Sequence, residues 1–251
     1  MVSDLSDNLI SEVYYSTKET VTDQISPAGQ NMPSFTVDDA FGYEFVAGPD
    51  IYRMANDLDT ETTFFKAKLT YYLNNHKITG GYEKTVYDTY NVFIVEEDGS
   101  WEFDDLASLQ AGTFSSYSAS GSKSGRVEDA AADFEFDLQS FYIMDEYTMS
   151  DTLTLTFGIR HDKYSGDDTP TNTAFTSAYG FKNGGIKGTD LTTYRFGADI
   201  ILDDLSDLNV TFGTYSAKLP NVWISNAYTN TGTLVANYDD CLLYTSPSPR
   251  D

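Results

Sequence analysis

The chain has 251 residues and a formal net charge of −24, from 15 Lys and Arg against 39 Asp and Glu, with 19 Tyr, 16 Phe and a single Cys. That balance excludes the basic footprint nucleic acid requires and opposes docking on an anionic membrane surface, and one cysteine excludes a disulfide framework or a cysteine metal cluster. Tyr, Phe and Thr favour pleated strands and Gly, Asn and Asp favour turns; no window holds the roughly 18 consecutive apolar residues of a membrane helix, which leaves barrel strands open because their faces alternate.

The start, "MVSDLSDNLI", lacks the basic and apolar runs of a signal peptide, and "SDLSDN" within it reads as a short polar turn. The first predicted strand covers roughly residues 8–18, and a polar linker follows over 19–58. "TFFKAKLTYYL" then sets Phe65, Ala67, Leu69, Tyr71 and Leu73 against Phe64, Lys66, Lys68 and Thr70, within a strand over about 59–73. The short turn "NNH" (Asn74 to His76) leads to a strand over 77–91 and a second linker over 92–132. A strand over 133–147 passes through "MSD" (Met149 to Asp151) into 152–164, where Leu153, Leu155, Phe157 and Ile159 alternate with Thr152, Thr154, Thr156, Gly158, Arg160 and Asp162. On a helix those four apolar residues would point all round the cylinder. After a linker over 165–188, the strand over 189–202 sets Tyr194, Phe196, Ala198, Ile200 and Leu202 against Thr193, Arg195, Gly197 and Asp199. "DDLSD" (Asp203 to Asp207) turns into a seventh strand over 208–216, with Leu208, Val210 and Phe212 opposite Asn209, Thr211 and Gly213; a linker runs from 217 onward.

Alternation and turns alone suit a soluble β-sandwich or propeller equally well. Two features favour an up-and-down membrane barrel, antiparallel and all-β: the second face is polar or charged, as a wet lumen would be, and Tyr71, Tyr72, Tyr142, Tyr147 and Tyr164 fall near predicted strand ends, where interface girdles sit. Short turns alternating with long linkers point the same way, since a compact soluble domain rarely carries so many long loops. The turns near Asn74, Ser150 and Leu205 are then expected at one end of the sheet and the long loops at the other.

"FYIMDEYTMSDTLTLTFGIRHDKY" resembles the strand–turn–strand signature of TonB-dependent outer-membrane receptors, with Asp145, Glu146, Gly158 and Arg160 matching, Met144 standing where Gln is common and Tyr147 where Trp is common. "GPDIYRMANDLDTET", "HKITGGYEKTVYDTYNVFI" and "YRFGADIILDDLSDLNVTFGTYSAKLPNVWISNAYTNTG" are similar to the Oar-like subgroup. The resemblance covers nearly all of residues 1–240 and implies part of a plugged barrel of about 22 strands in the outer membrane of a Gram-negative bacterium. It further implies contact with outer-membrane lipid, a small nutrient ligand such as a siderophore, saccharide or peptide, and a TonB complex reached through a plug region. Plug, TonB-contacting segment and aromatic-ended terminal strand are not found, so an interior slice of a receptor is expected, with Met1 an internal methionine. "CLLYTSPSPRD", residues 241–251, resembles a sequencing-library transposon adapter translated in one frame; it is expected to be a non-native tail that packs against nothing, and Cys241 carries no argument.

No catalytic constellation, cofactor motif or metal-ligand spacing emerges: HExxH, GxGxxG and Walker loops are missing from the sequence. Ser120 and Lys123 match SxxK but sit in a Ser/Gly-rich stretch that reads as a flexible loop. His76 and His161 read as surface residues, and Asp38-Asp39, Glu96-Glu97-Asp98, Asp104-Asp105 and Asp167-Asp168 as solvated carboxylates without EF-hand spacing. The candidate ligand contacts are Asn221, Trp223 and Asn226, an aromatic face between amides that suits a sugar or peptide, although Trp223 equally suits a loop anchor on a barrel rim. Arg160 and Arg195 fall on the polar face, placed to line a route or to pair with Asp162 and Asp199; pairing within the wall is the plainer reading. Two functions therefore stand: active nutrient uptake without enzymatic chemistry, and a non-transporting surface β-protein such as an adhesin or glycan-binding module.

Overall fold

The computed structural model describes residues 1–122, 124–166, 180, 189–217, 224–225 and 233–239. Alternating sequences cannot bury both faces, so they pair edge to edge, and here they do so with their sequence neighbours. One sheet of eight antiparallel strands runs β1 (Val2–Ser6), β2 (Leu9–Asp23), β5 (Ala55–Leu73), β6 (His76–Ile94), β9 (Ala132–Ser150), β10 (Leu153–Ser165), β11 (Asp190–Asp203) and β12 (Ser206–Gly213). The seven expected strands are all present, and β1 makes the eighth, paired to β2 across a turn at Asp7 and Asn8. The meander does not close on itself among the described residues: β1 and β12 are its edges.

The short turns lie side by side at one end. The Asn8 carbonyl accepts the Tyr72 N–H (2.9 Å), the Asn75 carbonyl the Thr148 N–H (2.8 Å), and the Thr152 carbonyl the Ile201 N–H (2.9 Å). Asn74 sits at the β5–β6 turn with φ 52°, a left-handed conformation that Asn tolerates better than most side chains.

The apolar faces expected from alternation share one side of the sheet. Phe157 opposes Phe196, which opposes Phe212, and Leu155 opposes Ala198, which opposes Val210. No second sheet covers them. Phe157 is 46% exposed and Phe212 75%, and Val13, Leu69, Ile143, Ile159 and Val210 are exposed as well. A sandwich would enclose these residues; this sheet presents them outward as a continuous belt far too apolar for water.

The belt is slanted against the hydrogen-bond register. Its loop-side edge runs Tyr15, Phe65, Tyr82, Phe141, Ile159, Tyr194, Phe212 from β2 to β12. The row of Tyr15 and Phe65 continues through Lys84, Gln139 and Lys163 to Asp190, whereas the edge on β12 is Phe212, whose partner Phe196 lies six residues beyond Asp190. Six residues over six strand steps, at about 3.3 Å per residue and about 4.8 Å per strand, is a slant of about 35°. That is the tilt of strands in a barrel wall. With that tilt, Phe65 to Leu73 rise about 20–25 Å, the height of a hydrocarbon belt.

Above the belt the two faces exchange character. Outward positions become acidic: Glu19, Glu61, Asp88 and Glu135 are direct cross-strand partners. Inward positions become apolar: Phe134 and Phe136, each 1% exposed, pack with Tyr87, Ala132 and Ile224. On the other side, nearer the strand ends, Ala55, Val92 and Ile94 pack with Ala130. The strands thus continue past the belt into water, where their buried side is covered by loops.

Those loops are more ordered than their composition implies. The linkers over 19–58, 92–132 and 217 onward contribute a second sheet, in the order β13 (Thr233–Asp239), β8 (Ser116–Ser122), β7 (Ser100–Asp105), β3 (Ser34–Asp39), β4 (Phe45–Ala47). β3 and β7 pair in parallel, and Val37, Phe103 and Phe114 form their core. The helix α1 (Leu106–Ala111) starts on a capping box in which Asp105 accepts the Ser108 N–H at 2.7 Å and ends on Gly112 at φ 69°. Ser120, read as flexible loop, lies in β8 and donates its N–H to the Glu96 carbonyl (3.1 Å); Lys123, residues 167–179 and 181–188 of the linker over 165–188, and the tail over 241–251 lie outside the described residues.

Candidate functional site

The inward face at belt height is polar across five strands. Lys66, Glu83, Ser140 and Asp162 occupy one register row, and Lys68, Gly81, Tyr142, Arg160 and Thr193 the row two residues below. Alternation is the local cause: each of these is an odd-parity neighbour of a belt residue, so the pleat turns it inward.

Arg160 is the hub. Its Nε donates to Asp162 Oδ1 (2.8 Å), Nη1 to Glu83 Oε2 (2.9 Å) and Nη2 to Ser140 Oγ (2.7 Å). The Ser140 hydroxyl in turn donates to Asp162 Oδ1 at 2.6 Å, Lys66 approaches Glu83 at 3.5 Å, and the guanidinium lies 5.9 Å from the Tyr142 ring centre. Pairing within the wall, the plainer reading for Arg160, is what the geometry gives. The carboxylates compensate both cations, so this knot fixes the relative positions of β5, β6, β9 and β10.

Arg195 departs from expectation. It stacks on Tyr215, 5.8 Å from the ring centre, while Asp199 accepts the side-chain amide of Asn209, its direct partner on β12. Among the described residues no carboxylate lies within ion-pair distance of Arg195. Beside it opens a groove of about 320 Å³ bordered by Lys66, Glu83, Tyr142, Arg160 and Thr193. A second hollow of about 420 Å³ shares Arg160, Thr193, Arg195 and Thr214 and continues toward the loops past Asp162, Tyr164 and Tyr215. Together they form a trough down the inner wall with Arg195 at its middle.

The expected aromatic girdle is only partly realised. Tyr71 and Tyr147 face outward near the turn end, where Tyr147 stacks on His76 (4.5 Å). Tyr142 instead faces inward and covers Gly81, and Tyr164 packs on Phe136 in the loop-side core. Tyr72 shares the inward face with Lys77. His76 Nδ1 meets Asp145 Oδ2 at 2.8 Å and His161 Nδ1 meets Thr192 Oγ1 at 2.9 Å. Asn221, Trp223 and Asn226 lie outside the described residues. Glu83 and Ser140 were not singled out by sequence, and Tyr142 only as a girdle aromatic; the register of β6 and β9 against β10 reveals their place in the wall. Among the described residues no cluster of three or more His, Cys, Asp or Glu is arranged to hold a metal ion. The acidic loop "EED" is less solvated than composition suggests: burial first, then the neighbouring Asp98, pushes the Glu97 carboxyl above its ordinary range.

The family model described as outer membrane beta barrel domain matches residues 5–230. No curated protein and no solved structure matches the chain. An outward apolar belt about one bilayer core high, slanted as barrel strands are, turns gathered at one end and a polar inner wall agree with that match. The chain belongs to the outer membrane β-barrel domain family, and its place is the outer membrane.

Proposed function

We propose that this chain forms wall and outward loops of a TonB-dependent transporter that takes up a nutrient of the siderophore, saccharide or peptide class, without enzymatic chemistry of its own. The observation that carries the reading is the inner-wall trough, which leads from the loop end toward mid-membrane and has at its middle Arg195, without a carboxylate partner among the described residues. Arg195 is then a ligand contact and Arg160 a wall strut, with Asn221, Trp223 and Asn226 as loop contacts. The receptor-like "DEY…GIR" signature falls on β9, its turn and β10, where Arg160 ties the strands. A partner complex of the TonB type supplies the energy in this reading.

The surface-protein alternative has one observation in its favour. The hairpin of β3 and β4 bears exposed Phe41, Tyr43 and Phe45, with Phe41 held at φ 62°, an aromatic tip suited to a glycan or protein surface. Uptake of labelled ferric chelates, oligosaccharides and peptides by cells with and without the gene, each with and without a protonophore, separates the two. Transport expects gene-dependent uptake abolished by the protonophore. Unchanged uptake of all three classes, with loss of surface adhesion, would replace it with the alternative.

A further inference from the structure

We propose that the outward wall binds the phosphate of an outer-leaflet lipid headgroup through Lys84, Gln139, His161 and Lys163. The inference depends on the outer-membrane placement and not on the transport reading.

The slanted belt edge gives each outward residue a height. The first outward position above the edge is Thr17 on β2, Thr63 on β5, Lys84 on β6, Gln139 on β9, His161 on β10 and Thr192 on β11. This is headgroup level, and because the long connections lie on this side, the leaflet is the outer one. Elsewhere the level is occupied by neutral threonine; only on β6, β9 and β10 does it become cationic or amide-bearing. Lys163 stands one outward position higher and shares a register row with Gln139 and Lys84. Two lysines thus flank Gln139 on adjacent strands, about 10 Å apart at the backbone. Their flexible stems span that gap easily, so both ammonium groups can meet one phosphate above Gln139.

The charges around them make the pair notable. The chain carries −24 overall, and the second outward row above that of the lysines is Glu19, Glu61, Asp88 and Glu135. Among the described residues neither lysine makes an ion pair, although carboxylates stand close by. Asp190 stands directly across from Lys163 on β11 without forming an ion pair with it, and Asp137, diagonal to both lysines, spends its two oxygens on the Gln139 amide and the Ser165 hydroxyl, both at 2.8 Å. His161 uses Nδ1 on Thr192, leaving Nε2 for a ligand. Cations left unpaired in an acidic surface, at the depth where lipid phosphates lie, are complementary to those phosphates.

The test uses the full chain extracted from outer membranes in mild detergent and presented with phosphorylated glycolipid of the lipid A type, with phosphatidylethanolamine, or with inorganic phosphate alone. Bound lipid is counted by native mass spectrometry. Wild type should retain the phosphorylated glycolipid, and Lys84→Gln with Lys163→Gln should weaken retention about 10–30-fold. The arginine pair, Lys84→Arg with Lys163→Arg, should retain it, and Lys77→Gln, near the turns, should match wild type. Arginine variants that fold and bind while the glutamine pair fails to fold would still support the site. Equal retention by wild type and a folded glutamine pair would overturn it, as would competition by millimolar inorganic phosphate, which would mean a free-ion site and not a lipid one.

Discussion

Leu155→Arg and Thr156→Arg place the same side chain on neighbouring residues of one strand and differ only in the face they address. Leu155 lies mid-belt on β10, between Tyr147 and Ala198 in the register. An arginine there meets hydrocarbon at a depth where lipid-facing arginine costs about 2–4 kcal/mol, a 30- to several-hundred-fold loss in the folding equilibrium. Thr156 points to the polar wall opposite Glu146, so its arginine keeps water and gains a carboxylate neighbour, and the cost should stay below about 1 kcal/mol. Urea titration in lipid vesicles, followed by tryptophan emission and gel mobility, measures both, and Leu155→Ala separates lost volume from added charge. Equal costs for the two arginines would refute the assignment of faces, and with it the belt and its slant.

Arg160→Met strips Glu83, Ser140 and Asp162 of their common donor and should cost about 2–3 kcal/mol, below the usual range for a buried pair because the Arg160 side chain is 37% exposed; a double-mutant cycle with Asp162→Asn should show coupling above about 0.5 kcal/mol. Gly81→Val drives a side chain into the Tyr142 ring, whose Cε1 lies 2.8 Å from where a Cβ would stand, and should destabilise by about 1–3 kcal/mol, a cost that Tyr142→Ala in the same chain should largely relieve. Glu97 has a raised folded-state pKa, so folding of its loop favours the protonated acid: stability present at low pH is lost as pH rises through that raised value. Glu97→Gln should therefore slow amide exchange around Gly99 at neutral pH and change it little in acid.

The membrane-facing half of the fold was legible because a strand in a wall with lipid on one side and water on the other writes its environment into alternate residues. Leu153 to Ile159 and Tyr194 to Leu202 state their faces outright. The loop half was not. β8, "SYSASGS", alternates serine with Tyr117, Ala119 and Gly121, too weak an apolar face to read as a strand, and it pairs with β7 and β13. The parallel pair β3 and β7 joins segments whose partners, such as Phe35 and Trp101, no local window relates. Tyr142 and Tyr164 show the limit in a single residue type. Nearness to a strand end suggested a girdle, but parity turned both inward, one onto a glycine and one into a core. Arg195 and Asp199 are the same kind of failure: two opposite charges on one face, spaced to pair, that took an aromatic ring and an amide instead.

A slant of one residue per strand also bears on errors of assembly. Sliding one hairpin by two residues preserves which side chains face in and which face out, so the hydrophobic alternation raises no objection to it. It would, however, lift that hairpin's belt about 5 Å against its neighbours, pulling one row of carbon into water and one row of charge into oil. Shifting β6 so that Lys84 took the height of Tyr82 would submerge a lysine. The bilayer therefore acts as a second ruler laid across the strands. It fixes the one degree of freedom, sliding in steps of two, that the inside–outside pattern leaves undetermined.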